Sequence, residues 1–169
     1  LEFGVFYGKS FTRAYMLARN MGLQKMRYFA FDSFEGLPYA EGEFQIGGVR
    51  ASRDFFTKYI RAHGVDTRRV TTIEGNFTHS LTKSLKETHR LEKAAVVHID
   101  CDLYESTKDV LLFIESLLRP NSIIIFDDWH AFDYLSGPEE AQNMGQQKAF
   151  MEWSLNHRFQ EFYDAFQAR

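Results

Sequence analysis

Residues 94–99 (AAVVHI) and 122–126 (SIIIF) are apolar at almost every position, and both runs lead straight into paired aspartates: Asp100 and Asp102 after the first, Asp127 and Asp128 after the second. A strand with one wet face alternates apolar and polar residues. A strand buried on both faces does not, and burial on both faces is what a helix-covered parallel sheet demands. The two runs are therefore expected to be inner strands of a parallel sheet. Parallel neighbours need a long crossover, and residues 106–118 supply one. Val110, Leu111, Phe113, Ile114, Leu117 and Leu118 recur there at helical spacing, closed by Arg119-Pro120.

The same alternation runs through the rest of the chain. Residues 1–7 (LEFGVFY) read as a strand broken by a glycine turn, and Phe11, Ala14, Tyr15, Ala18 and Met21 then give a helix from about Ser10. Next come an apolar run at 26–31 ending in Asp32, a polar glycine-rich stretch at 33–49, a helix near 51–63, a β-branched strand at 70–74 and a helix near 145–156. This predicts an α/β fold with a doubly wound, mostly parallel sheet and helices on both faces. The chain opens inside a strand and stops soon after a stretch at 159–166 that reads as a last strand, so a domain trimmed at both ends is expected. In doubly wound sheets ligands sit at the carboxyl ends of the strands, which selects residues 4–10, 32–38, 75–77, 100–104 and 127–130.

Composition narrows the partners. With 169 residues the chain is expected to form one domain, 1–169, and its net charge of −3 leaves no basic footprint for nucleic acid or an anionic membrane. No apolar run reaches the roughly 20 residues needed to span a bilayer. The single cysteine, Cys101, excludes an internal disulfide framework and suits a reducing cytoplasm, the expected location. Small molecules are the expected partners. The 17 phenylalanines exceed what a core of this size requires, so most should pack and some should line a pocket.

The opening residues, LEFGVFYGKS, resemble a phosphate-cradling loop, but Gly4 and Gly8 precede Lys9-Ser10 one residue too close for that geometry. Two readings stay open: a nucleotide triphosphatase whose acidic metal ligand would be Asp100 or Asp127, and a glycine turn beneath an adenosyl cofactor, with Glu2, Gly4 and Gly8 forming it. Asp32 favours the second. It ends the second strand, where doubly wound folds place a carboxylate on ribose hydroxyls.

In extended backbone Asp100 and Asp102 would share a side of their strand, and Asp127 and Asp128 stand where the chain leaves the next. If the strands are neighbours, four carboxylates converge, and such crowding calls for protons or a cation. All-oxygen ligands suit a hard divalent ion such as Mg2+. Three ligands and one general base is the expected division. Trp129 and His130 are candidate pocket walls, with His130 an alternative base. His98 reads as a packed histidine, and residues 134–147 read as a loop over the cleft.

Taken in order, LEFGVFYGKS, FDSFEGLP, EGNF, HIDCDLYEST and FDDWHAF resemble the macrocin O-methyltransferase (TylF-like) family of class I S-adenosylmethionine-dependent methyltransferases, from residue 1 to about 153. The resemblance implies a Rossmann-like methyltransferase domain. Glu2, Gly4, Gly8 and Ser10 would border the methionine part of the cofactor, Asp32 the ribose with Ser33 beside it, and Asn76 and Phe77 the adenine. It further implies Mg2+ on Asp100, Asp127 and Asp128, with Asp100 also bordering the cofactor, and Asp102 as general base. The acceptor would be a hydroxyl on a sugar or a phenolic natural product. Family members carry N-terminal helices that assist dimerisation, so a homodimer is an expectation too. A relative that binds the cofactor without catalysis is the remaining alternative.

Overall fold

The computed structural model describes residues 1–133, 142–155 and 157. Its elements run β1 (Glu2–Phe3), α1 (Lys9–Asn20), β2 (Tyr28–Asp32), α2 (Arg53–Ala62), β3 (Val70–Glu74), α3 (Phe77–Ser80), α4 (Lys83–His89), β4 (Val96–Ile99), α5 (Tyr104–Ile114), β5 (Ile123–Phe126) and α6 (Gly145–Ser154). The five strands are all parallel, in the order β3-β2-β1-β4-β5. This is the Rossmann-like α/β architecture expected from the strand and helix pattern.

Alternation along β2 divides the core between the two faces. Tyr28 and Ala30 join Phe11, Tyr15 and Ala18 of α1 and Phe56 and Ile60 of α2. Phe29 and Phe31 join Phe3, Val97, Ile99, the apolar face of α5, and Ala149 and Trp153 of α6. Phe3 stacks on Phe31 at 4.4 Å, and both meet Phe113 edge-on at 6.2 and 5.9 Å. Truncating a buried ring of this kind to Ala costs about 3 to 5 kcal/mol. Most of the phenylalanine excess is thus structural, and of the described residues Phe6 and Phe77 are the phenylalanines that reach the cavity.

Three of the helices start where a capping side chain satisfies a free N–H group. Ser52 accepts from Phe55 N–H at α2, Asn76 from Thr78 N–H at α3 and Thr82 from Leu85 N–H at α4.

Several sequence expectations change. β1 occupies two residues, not seven, because Gly4 takes φ +81° and turns the chain off the sheet. The expected burial of 122–126 on both faces fails at Ile123 and Ile125, which are 56% and 45% exposed. Residues 145–147 do not belong to a loop: they begin α6 and are buried. The stretches 134–141 and 159–166 lie outside the described residues. Among the described residues no helix is long and apolar enough to cross a membrane.

Candidate active site

A cavity of about 280 Å³ opens over the carboxyl ends of the strands, lined among others by Gly4, Asp32, Asn76, Phe77, Asp100 and Asp128. Its floor is built by backbone. Gly4 packs so tightly under β4 that any Cβ there would collide with the Asp100 carbonyl oxygen. Asp32, at the end of β2, then holds the turn that follows: its Oδ2 accepts from Val5 N–H at 2.8 Å and Phe6 N–H at 3.1 Å, and its Oδ1 from Phe34 N–H at 2.7 Å. Phe6 and Phe34 sit at φ +44° and +57°, a region where non-glycine residues need support, and that carboxylate provides it.

These bonds decide between the two readings of the opening stretch. A phosphate loop aims successive N–H groups at its ligand. Here those of Val5 and Phe6 are given to Asp32, and that of Gly8 to the Val5 carbonyl. Lys9 is exposed on the first turn of α1 and does not line the cavity. The fold therefore builds a glycine turn, not a triphosphate cradle.

Not every residue proposed for the cofactor reaches the cavity. Gly4, Asp32, Ser33, Asn76, Phe77 and Asp100 line it, while Glu2, Gly8 and Ser10 stand behind it. Glu2 points across the sheet instead, where it accepts a hydrogen bond from the Ser10 hydroxyl at 2.7 Å and lies 3.5 Å from His98 Nδ1. Gly8 caps α1 and is packed against Phe56 and Ile60.

The other end of the cleft is acidic. Oxygens of Asp100, Asp127 and Asp128 lie within 4.8 Å of one another. That spacing fits donors around a hard cation whose bonds run about 2.0 to 2.6 Å. Asp102 arrives differently from the alternation argument. It lies past the end of β4 at φ +57°, in a turn closed by Leu103 N–H to the Cys101 carbonyl, and it donates its own N–H to Asp128 Oδ2 at 3.1 Å. A turn, not a shared strand face, puts it on the cavity.

Electrostatics follow from this crowding. Burial pushes the Asp100 carboxyl up to about 7, with Asp128 and Asp127 adding repulsion. Asp102 is raised by burial and then by Asp128, and Asp128 is raised chiefly by burial. Asp127 is held below the usual carboxylate range by its hydrogen bond to His98. Burial disfavours charge on His98, yet its bonds to Asp127 and Glu2 hold it up to about 10.

His98 is packed, as the sequence suggests, but it also bridges Glu2 and Asp127, the latter at 3.3 Å. Three further residues carry the site although no motif singled them out. Gln146 bonds Asp128 and the Ile99 carbonyl, Gln147 bonds the Trp129 carbonyl, and Glu41 accepts from the N–H groups of Tyr104 and Gly145. Trp129 packs against Phe126 and Phe150, and His130 pairs with Asp133.

Comparison with known proteins agrees with this architecture. CalS11, described as a calicheamicin methyltransferase, superposes with a TM-score of 0.71 at 25% identity, covering 97% of this chain and 68% of its own. The apo structure of CalS11, described as a TDP-rhamnose 3'-O-methyltransferase of calicheamicin biosynthesis, gives 0.65 at 26% identity with the same coverages of 97% and 68%. The O-methyltransferase NovP shares the fold, with a TM-score of 0.57 at 18% identity over 80% of this chain and 64% of that one. By sequence alone, no curated protein matches significantly. A family model described as a methyltransferase domain matches residues 1–129, and the chain belongs to that methyltransferase family.

Proposed function

We propose that this protein is an S-adenosylmethionine-dependent O-methyltransferase of the macrocin O-methyltransferase kind, acting on a hydroxyl of a sugar or phenolic acceptor with a divalent cation and an aspartate base. The observation that carries the reading is the continuity of one cavity from a backbone-built end at Gly4 and Asp32 to a carboxylate cluster at Asp100 and Asp128. The structural likeness to CalS11, described as a TDP-rhamnose 3'-O-methyltransferase, supports a sugar hydroxyl as acceptor.

Bound S-adenosylmethionine would supply a methyl group activated by its sulfonium. Gly4 would give its backbone room to approach, Asp32 would offer its remaining lone pair to a ribose hydroxyl, and Asn76 and Phe77 would flank the adenine. Glu2 and Ser10 act from behind by bracing the turn. A hard divalent cation on Asp100, Asp127 and Asp128 would lower the pKa of an acceptor hydroxyl. Asp102 would take that hydroxyl's proton as the oxygen bonds to the methyl carbon and the sulfur–carbon bond breaks, leaving S-adenosylhomocysteine. The chain's share of catalysis is positioning and proton removal.

Calorimetric titration tests the reading. S-adenosylmethionine should bind with or without a chelator, Mg2+ should give a separate signal lost in Asp127→Ala, and ATP should bind no differently when Lys9 is replaced by Ala. A folded chain that ignores S-adenosylmethionine, or binds ATP through Lys9, sinks the proposal.

A further inference from the structure

Gln146 is fully buried at the first turn of α6, with 0% exposure. Burying a primary amide costs several kcal/mol unless its donors and acceptor are all used, and here each finds a partner. The Oε1 accepts from Asp128 N–H at 3.1 Å, and the Nε2 donates to Asp128 Oδ2 at 3.1 Å and to the Ile99 carbonyl at 3.0 Å. A primary amide matches that set: an N–H, a carboxylate and a carbonyl require one acceptor and two donors on one planar group. Asp128 Oδ2 also receives Asp102 N–H, so two donors fix the rotation of that carboxylate and hence the direction its other oxygen faces.

Glu41 sets where α6 begins. From the glycine-rich loop it accepts Gly145 N–H at 2.9 Å with Oε1 and Tyr104 N–H at 2.7 Å with Oε2. One carboxylate thus pins the start of α6 to the start of α5, two residues beyond Asp102. The approach is close enough that a Cβ on Gly145 would collide with the Phe132 ring and lie 3.1 Å from the Asp102 carbonyl oxygen.

We propose that Gln146 is the positioning residue for Asp128, and that Glu41 fixes Gln146 by docking the start of its helix beside Asp102. This rests on the cation reading of the site given above. Residues behind metal ligands commonly change metal affinity about 10- to 100-fold when replaced, and a residue serving the fold alone would lower stability without that selectivity.

The experiment titrates the full chain calorimetrically with Mn2+ as probe, and separately with S-adenosylmethionine, for wild type, Gln146→Met, Gln146→Glu and Glu41→Ala. Gln146→Met, close in volume, should weaken Mn2+ binding at least about tenfold while leaving S-adenosylmethionine affinity within about threefold. Gln146→Glu should weaken Mn2+ similarly, since it keeps the shape and loses the donors, and Glu41→Ala should give a smaller loss in the same direction. Mn2+ affinity within twofold of wild type in a folded Gln146→Met overturns the assignment. Should both Gln146 variants fail to fold, unchanged Mn2+ binding by Glu41→Ala overturns it instead. A wild-type chain that binds S-adenosylmethionine but no Mn2+ refutes the cation reading, and this inference with it.

Discussion

The two ends of the cleft are built from different materials. At the ends of β1 and β2 the surface is main chain: a glycine pressed against the next strand, and a carboxylate whose oxygens accept three backbone N–H groups. At the ends of β4 and β5 it is side chain: aspartates crowded in partial burial, braced by Gln146, His98 and Glu41. The first kind of site is held by main-chain packing and hydrogen bonds. The second holds repulsion that only protons, a cation or firm bracing can offset.

The two halves should therefore fail in different ways. The largest effect belongs to the acidic end: Asp102→Asn should lower kcat about 10³-fold, the scale of general-base catalysis, while S-adenosylmethionine affinity stays within about threefold. Single-turnover kinetics with calorimetry checks this, and retained turnover would remove Asp102 from the base role. Next comes the backbone end. Gly4→Ala forces a side chain into positive φ and against a carbonyl, and should cost about 3 kcal/mol. Urea unfolding reads that cost directly; an unchanged midpoint would show that the turn has slack.

The smallest effect is electrostatic. Asp100 titrates near 7 in the folded chain against about 4 unfolded, so the folded state binds the extra proton and stability falls as pH rises between those values. Asp102, also raised, acts with the same sign. His98, held up to about 10, contributes stability below its unfolded value of about 6.5 that is lost as pH climbs to 10. The depressed Asp127 acts only at acid pH. The cation-free protein should thus melt a few degrees lower at pH 9 than at pH 6, and Mg2+ should recover more at pH 9. A melting temperature flat over that range would mean that solvent relieves the crowding.

How much of this was legible in the sequence depended on distance along the chain. Apolar runs ending in aspartate marked β4 and β5 because burial on the sheet and exposure at its end are local facts about a strand. The turn at Gly4 was legible too, but not its close packing against the Asp100 carbonyl, far away in the sequence. Asp32 stood where a ribose carboxylate belongs, yet nothing local showed that it anchors Val5, Phe6 and Phe34. Asp102 was paired with Asp100 on an extended spacing that its positive φ abolishes. No motif singled out Gln146 or Glu41: each is an ordinary polar residue until folding brings three separate segments together.

The brevity of β1 has a consequence for how the chain reaches this state. Two residues form the middle of the sheet, Glu2 facing Ala30 on one side and His98 on the other. So short a strand has little stability of its own, and one of its partners lies most of the chain away. Bringing such distant segments together carries a loop-closure cost before any contact rewards it. Phe3 is not enclosed until Ile99 pairs beside it, and Gly4, which packs against the Asp100 carbonyl, depends on the same pairing. During synthesis β1 must wait for β4.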